Sequence, residues 1–343
     1  MDCLLTEYKA VPAVDGKNVL RIPAKNFDPA RYECCQKISL DLEFGLATGV
    51  SAFPVLLVRG AKEGKTLVVS AGIHGDEFEG VQAILQVVAE LDPSVMHGTV
   101  IAVPIANLSA FYKGTRTSPL DGLNLARCFP GKQHGSPTEV LAFHLAESII
   151  ARADLYLDLH SAGVKLLMPT MVGYDPRDPR SRDAAAIFGT PVVWAHSSIE
   201  PGRTISFAAS RNIPWLYTEA HGAGRVHPQD LAVFKRGIFN LLVHLGIQPG
   251  QVVAHTIDHV LHGDGNIDAA IPATRSGFLI RAVELLEEIN VAQKLGHSVD
   301  LHGRLIETFR SPCSGVVGMI RAFPVIESGD PLFLIAGSKK SLS

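Results

Sequence analysis

The sequence predicts an α/β protein, a sheet with helices on both faces, followed by a smaller β-rich module. Two patterns and the length carry this. Between about residues 66 and 245, short β-branched apolar runs alternate with helical stripes. From about 250 onward the helical period fades, and short apolar alternations are separated by Gly, Pro and Asp, as in HVLHGDGN, ATRSGFLIRA, SPCSGVVGMI and ESGDPLFLIAG. The chain has 343 residues, enough for two domains at ~150 residues each. The expected division is an N-terminal β-rich segment over 1–60, an α/β domain over 61–248 and a β-rich module over 249–343. The module is expected to pack on the α/β core together with the N-terminal segment.

In chain order, Ile38–Leu42 and Val55–Val58 are strand candidates. Thr66–Ile73 (TLVVSAGI) reads as a buried strand. Val81, Ile84, Leu85 and Val88 then follow at i, i+3, i+4, i+7, a helical stripe. Thr99–Val103 is the next strand. Pro137 at a first turn, then Leu141, Leu145 and Ile149, predicts a helix. Leu155–Leu159, Val192–Trp194 and Trp215–Thr218 are further strands. Leu231, Phe234, Ile238, Leu241 and Leu245 form the clearest stripe, and Gly246 is a fitting stop. No internal repeat or low-complexity segment interrupts the pattern.

Composition excludes several classes. With 47% hydrophobic and 19% charged residues, the chain has the makeup of a packed protein and not of a disordered one. A net charge of −3 from 31 basic and 34 acidic residues, without a basic block, argues against nucleic acid as a partner. No apolar run approaches the ~20 residues of a membrane span. The N-terminal MDCLLTEYKAVPAVDGK lacks a basic n-region and a clean apolar h-region, so it does not read as a signal peptide. Cys3, Cys34, Cys35, Cys128 and Cys313 are odd in number and irregular in spacing. Reduced thiols in a cytoplasmic protein are the simplest account. A homo-oligomer is the base-rate expectation, with the C-terminal module as dimer surface.

Chemistry concentrates at strand ends. His74 and Glu77, in AGIHGDEFEG, form a His-x-x-Glu pair. The spacing alone is weak, because His144/Glu147, His227/Asp230, His255/Asp258 and His297/Asp300 share it. Position separates the first pair: it follows a buried-strand run and is flanked by Gly72 and Gly75, where an open α/β sheet gathers ligands. A second strand end, Leu155–His160 followed by Ser161, Ala162 and Gly163, puts Asp158 and His160 on one side. Two histidines and a glutamate at carboxyl edges of one sheet make the ligand set of a catalytic zinc site with one open position. This set would also accept Co²⁺ or Mn²⁺ in vitro. Glu219, in WLYTEAHG, is the candidate to take the water's proton and return it to a leaving amine, with His221 the alternative. The turn-rich loop Asn107–Gly131 offers Arg116 and Arg127 to an oxyanion or a substrate carboxylate. Phe129, Tyr112, Tyr217 and Trp215 are aromatic candidates for the pocket wall, with core packing the default for each.

These pieces, in this order, resemble the succinylglutamate desuccinylase/aspartoacylase family of zinc enzymes, which is similar to the metallocarboxypeptidases. The matching motifs are GIHGDE, the loop ending DGLNLARCFPG, DLH at 158–160 and TE at 218–219, and the resemblance covers roughly residues 60–245. It implies one Zn²⁺ held by His74, Glu77 and His160, Glu219 as general base and acid, Arg116 on the oxyanion, and a mixed sheet with helices on both faces. Asn124 and Arg127 are the substrate-binding candidates. One position departs: the family's Asn-Leu-Asn-Arg is here Asn124-Leu125-Ala126-Arg127, and alanine supplies no hydrogen bond to a carboxylate. The expected activity is zinc-dependent removal of an acyl group from a small N-acylated amino acid or amine. A metallocarboxypeptidase on short peptides is the enzymatic alternative, and a zinc-binding protein without turnover the non-enzymatic one.

Overall fold

The computed structural model describes residues 9–12, 18–263 and 265–339. Cys3 and most of the N-terminal stretch considered above lie outside the described residues. The N-terminal part contributes β1 (Lys9–Pro12), β2 (Asn18–Pro23), β3 (Gln36–Leu46) and β4 (Gly49–Arg59). Strands and helices then alternate through β5 (Lys62–Ala71), α1 (Glu79–Glu90), β6 (His97–Val103), α2 (Leu108–Lys113) and α3 (Pro137–His144). They continue as β7 (Leu155–Leu159), β8 (Leu166–Leu167), β9 (Met171–Tyr174), α4 (Pro179–Phe188) and β10 (Val192–Ala195). After α5 (Thr204–Ser210), β11 (Trp215–Glu219) and α6 (Pro228–His244) comes β12 (His259–His262).

The remainder is β-rich, as its punctuation implied. It comprises β13 (Ile271–Pro272), β14 (Gly277–Arg281), β15 (Glu288–Ile289) and β16 (Lys294–Val299). It ends in β17 (Leu305–Arg310), β18 (Gly315–Arg321), β19 (Val325–Ile326) and β20 (Pro331–Lys339).

One mixed sheet runs in the order β1-β2-β3-β4-β6-β5-β7-β11-β9-β10-β12-β20-β18-β15. The strand period of two sorts its side chains to opposite faces. Val68, Ile101 and Tyr156 bury on one face with α3 and α5. Leu67, Val69, Val100, Leu155 and Leu157 bury on the other with α1, α4 and α6. The α6 stripe is as read from sequence: Phe234, Ile238 and Leu241 are buried, and Gly246 takes a φ of +71° beyond the helix end.

Two expectations need correction. The N-terminal strands do not pack with the C-terminal module, because the sheet order puts them at opposite ends. The β3–β4 hairpin joins through β6, whereas β20 joins through β12. The 107–131 loop begins with α2, where Asn107 caps the helix by accepting from the Ala110 N–H and Gly114 closes it with a φ of +62°. Helices α4 and α5 gave no readable stripe, since their buried faces rest on small or polar residues such as Ser181, Ala184, Thr204 and Ala208. Among the described residues no helix is long and apolar enough to cross a membrane, and Cys34, Cys35, Cys128 and Cys313 form no disulfide.

Candidate metal centre

β5, β7 and β11 are adjacent and parallel, so their carboxyl ends open on one edge. The register sets Ala71 opposite Leu159, and Leu159 opposite Thr218. The residues beyond those ends meet: His74 and Glu77 after β5, His160 after β7, and Glu219 at the end of β11. The turn after β5 needs glycine at 75, where a Cβ would stand 2.0 Å from the backbone carbonyl carbon of Ala110 in α2.

Among the described residues, His74, Glu77 and His160 are the one group of three or more His, Cys, Asp or Glu side chains with ligand atoms within 4.8 Å of one another. All three are buried. Glu77 lies between the rings, with Oε1 2.7 Å from His74 Nδ1 and Oε2 2.8 Å from His160 Nδ1. Each ring has an acceptor on its far nitrogen. His74 Nε2 lies 3.1 Å from Asn124 Oδ1, and His160 Nε2 lies 3.0 Å from Asp158 Oδ2. Donating there leaves both Nδ1 atoms turned toward Glu77, the arrangement that orients imidazoles as metal ligands. Asp158 is itself held by Ser70 at 2.7 Å and by Thr204.

Lone pairs converging in a buried space need a positive charge among them. Without metal that charge is a proton. Burial would lower His160, but Asp158 and Glu77 outweigh it and hold the ring protonated well above the usual range. Burial and the Arg116 charge push His74 down to about 4, leaving it neutral. Burial would raise Glu77, but His74 and His160 keep it ionised. The donor set fits one metal ion.

Glu219 is 7% exposed, and its Oε2 has no hydrogen-bond partner. Burial, then the Glu77 charge, raise it from 4.5 to about 8. The folded metal-free protein thus binds a proton here that the unfolded chain releases near pH 4.5. Stability from this group is full below that value and falls as pH rises toward 8. Glu219→Gln is therefore expected to raise the metal-free Tm at pH 8.5 but not at pH 4.5, measured by thermal denaturation. An unchanged difference between the two pH values would contradict it.

A small cavity opens over the cluster, with His74, Arg116, His160, Glu219, Arg127 and Tyr217 in its wall. Arg116 Nη1 reaches Glu77 Oε1 at 3.3 Å and His74 Nδ1 at 3.4 Å. Arg127 also faces the cavity, but its Nε and Nη2 donate to Asp268 Oδ2 at 3.1 and 2.9 Å. Asn124 sits behind His74, and its Oδ1 also accepts from the Ala126 N–H at 2.9 Å. Of the aromatic candidates, Tyr217 lines the cavity. Phe129 and Trp215 are in the core, and Tyr112 is 81% exposed. His221 pairs with Asp230 at 3.3 Å, away from the cavity wall.

Among the wall residues that escaped sequence reading are Arg203 and Thr204. Their signal is the helix start that follows Pro201-Gly202, where a Cβ on Gly202 would stand 2.5 Å from the Arg127 carbonyl oxygen.

The sequence profile of the succinylglutamate desuccinylase/aspartoacylase catalytic domain matches residues 63–245. The N-alpha-acetyl-L-2,4-diaminobutyric acid deacetylase of Halomonas elongata is 31% identical over 305 residues, covering 86% of this chain and 89% of that protein. The crystal structure of a succinylglutamate desuccinylase/aspartoacylase from Rhodobacter sphaeroides superposes with a TM-score of 0.80 at 27% identity, over 92% of this chain and 98% of that one. The ectoine utilization protein EutE (DoeB) of Ruegeria pomeroyi, in its product-bound structure, shares the fold with a TM-score of 0.79 at 24% identity, over 89% and 96% of the two chains.

Proposed function

This chain belongs to the succinylglutamate desuccinylase/aspartoacylase family, and from that premise we propose that it is a zinc-dependent amidohydrolase that releases the acyl group of a small N-acylated amino acid or amine. The observation that carries the reading is the buried His74–Glu77–His160 cluster with Glu219, one of whose carboxylate oxygens has no hydrogen-bond partner, in the same cavity. The deacetylase activity in the name of the Halomonas relative supports a small acetylated amino acid as substrate.

His74, Glu77 and His160 would hold the ion, and zinc when bound would polarise the amide carbonyl and lower the pKa of water towards ~7. The remaining work falls to this chain's side chains. Glu219 takes the proton of the attacking water and delivers it to the departing nitrogen. Its metal-free pKa of about 8 comes down beside a dication, into the range where one carboxyl both accepts and donates near neutral pH. Arg116, already within 3.3 Å of Glu77, places a fixed positive charge where the carbonyl oxygen turns anionic. Asp158 and Asn124 hold the imidazoles. Asp158→Asn is expected to weaken zinc affinity about 10–100-fold, measured by competition with a chromophoric chelator; unchanged affinity would remove Asp158 from this role. The overall reading is tested by metal content together with hydrolysis of an N-acyl amino acid panel, with a dipeptide as contrast. No metal after zinc addition, or turnover of the dipeptide alone, would overturn it.

A further inference from the structure

We infer that Asp268 is a specificity-determining residue that selects the charge of the substrate side chain, admitting neutral or cationic N-acyl amino acids and disfavouring those with a second carboxylate. The inference rests on the deacylase reading for the kind of molecule that binds.

Arg127 is one of the guanidiniums in the cavity wall, beside Arg116 and Arg203, and arginine presents a planar fork of donors that can grip a second carboxylate. In this chain the fork is already taken. Its Nε and Nη2 both donate to Asp268 Oδ2 at 3.1 and 2.9 Å, and Nη1 donates to the Ala126 carbonyl oxygen at 3.0 Å. Arg127 is 30% exposed and Asp268 65% exposed, so the pair sits at the mouth, where substrate meets it. Ala126 acts in the same direction, for no side-chain amide is left there to help hold an anion.

Asp268 is not placed there by chance contact. It belongs to the turn Ile267–Ala269, which Asn266 caps by accepting from the Asp268 N–H. The same Asn266 accepts from Arg203 Nη2 at 2.9 Å. The turn is thereby tethered to two arginines of the cavity, and Ile267 forms part of its wall.

Asp268 lines an adjoining cleft between the metal edge and the C-terminal strands, and Ile267 lines both spaces. In that cleft Arg321 is paired with Asp330 at 2.6 Å, Arg116 reaches back to Glu77, and Lys165 and Asp76 complete the charged groups. A side chain leaving the catalytic cavity toward this cleft passes the Arg127–Asp268 pair. An incoming carboxylate would have to displace Asp268 or lie against it, whereas an ammonium or amide finds an acceptor.

The test uses the full chain, zinc-loaded and carrying Glu219→Gln, so that ligands are bound and not turned over. Calorimetric affinities are measured for N-acetylglutamate, its neutral isostere N-acetylglutamine, and Nα-acetylornithine, with Asp268, Asp268→Asn and Asp268→Glu. With Asp268 the glutamine and ornithine ligands are expected to bind more tightly than the glutamate ligand. Asp268→Asn is expected to shift the glutamate-to-glutamine affinity ratio by about tenfold toward glutamate. Asp268→Glu should keep the original order. A ratio that moves less than about twofold, or tighter binding of N-acetylglutamate with Asp268 in place, would overturn the inference. If the parent enzyme deacylates amino acids while the ratio stays unmoved, the charge selection alone falls. If none of the three ligands binds and the parent hydrolyses no N-acyl amino acid, both readings fall.

Discussion

Glu219→Gln is expected to lower turnover of an N-acyl amino acid by about 10²–10⁴-fold, with one metal still bound per chain. The size follows from the site. Glu219 is buried at the end of β11, shares the cavity with His74 and His160, and keeps one oxygen without a protein partner. Glutamine keeps that shape, but its amide neither takes a proton from water nor delivers one to nitrogen. Glu219 is not in the ligand cluster, so metal content should survive. Steady-state kinetics and metal analysis on the same preparation check both halves. A variant that keeps near-parental turnover would remove Glu219 from proton transfer, and one that loses its metal would make it a ligand.

Glu77→Gln should act the other way, abolishing metal retention and activity together. Glu77 is the proposed ligand with one oxygen toward each imidazole, at 2.7 and 2.8 Å. The amide removes the buried negative charge that balances a cation and turns an N–H₂ toward one Nδ1. The loss in affinity should exceed the ~10–100-fold expected for Asp158→Asn, because a ligand and not its support is altered. Thermal unfolding gives an independent reading. A metal at 100 times its Kd stabilises the native state by about 2.7 kcal/mol, so zinc should raise the parental Tm and leave that of Glu77→Gln unmoved. An equal rise in both would show that zinc binds elsewhere.

Much of this centre was legible because strand ends have a local signature. TLVVSAGI running into His74 and Glu77, LYLDL into His160, and WLYT into Glu219 each join a buried run to a glycine-rich turn. A parallel register then brings such ends together whatever the loops do, and β5, β7 and β11 are neighbours. The long stripes of α1 and α6 were also plain, because large aliphatic and aromatic side chains build much of their buried faces, although Leu85 of the α1 stripe is exposed. Helices α2, α4 and α5 lacked that contrast: α2 buries little more than Ala110, and the other two lean on small or polar residues.

The substrate end of the site was far less legible. Asn124 and Arg127 stood out as residue types, but composition does not say what a side chain faces. Asn124 turned out to support His74, and Arg127 is bound to Asp268 across 141 positions of sequence. Arg203 reached the cavity without any periodic signal.

By itself, then, the sequence determined the layered α/β architecture, the β-rich C-terminal part and the strand-end identity of His74, Glu77, His160 and Glu219. Tertiary structure alone decided that the N-terminal hairpin and the C-terminal strands take opposite ends of the sheet, and that Asp268 neutralises Arg127. The physical reason is range. Periodicity records which face of an element is buried, within a few residues. An ion pair between two loops is set by how whole elements dock, and no local pattern carries that distance.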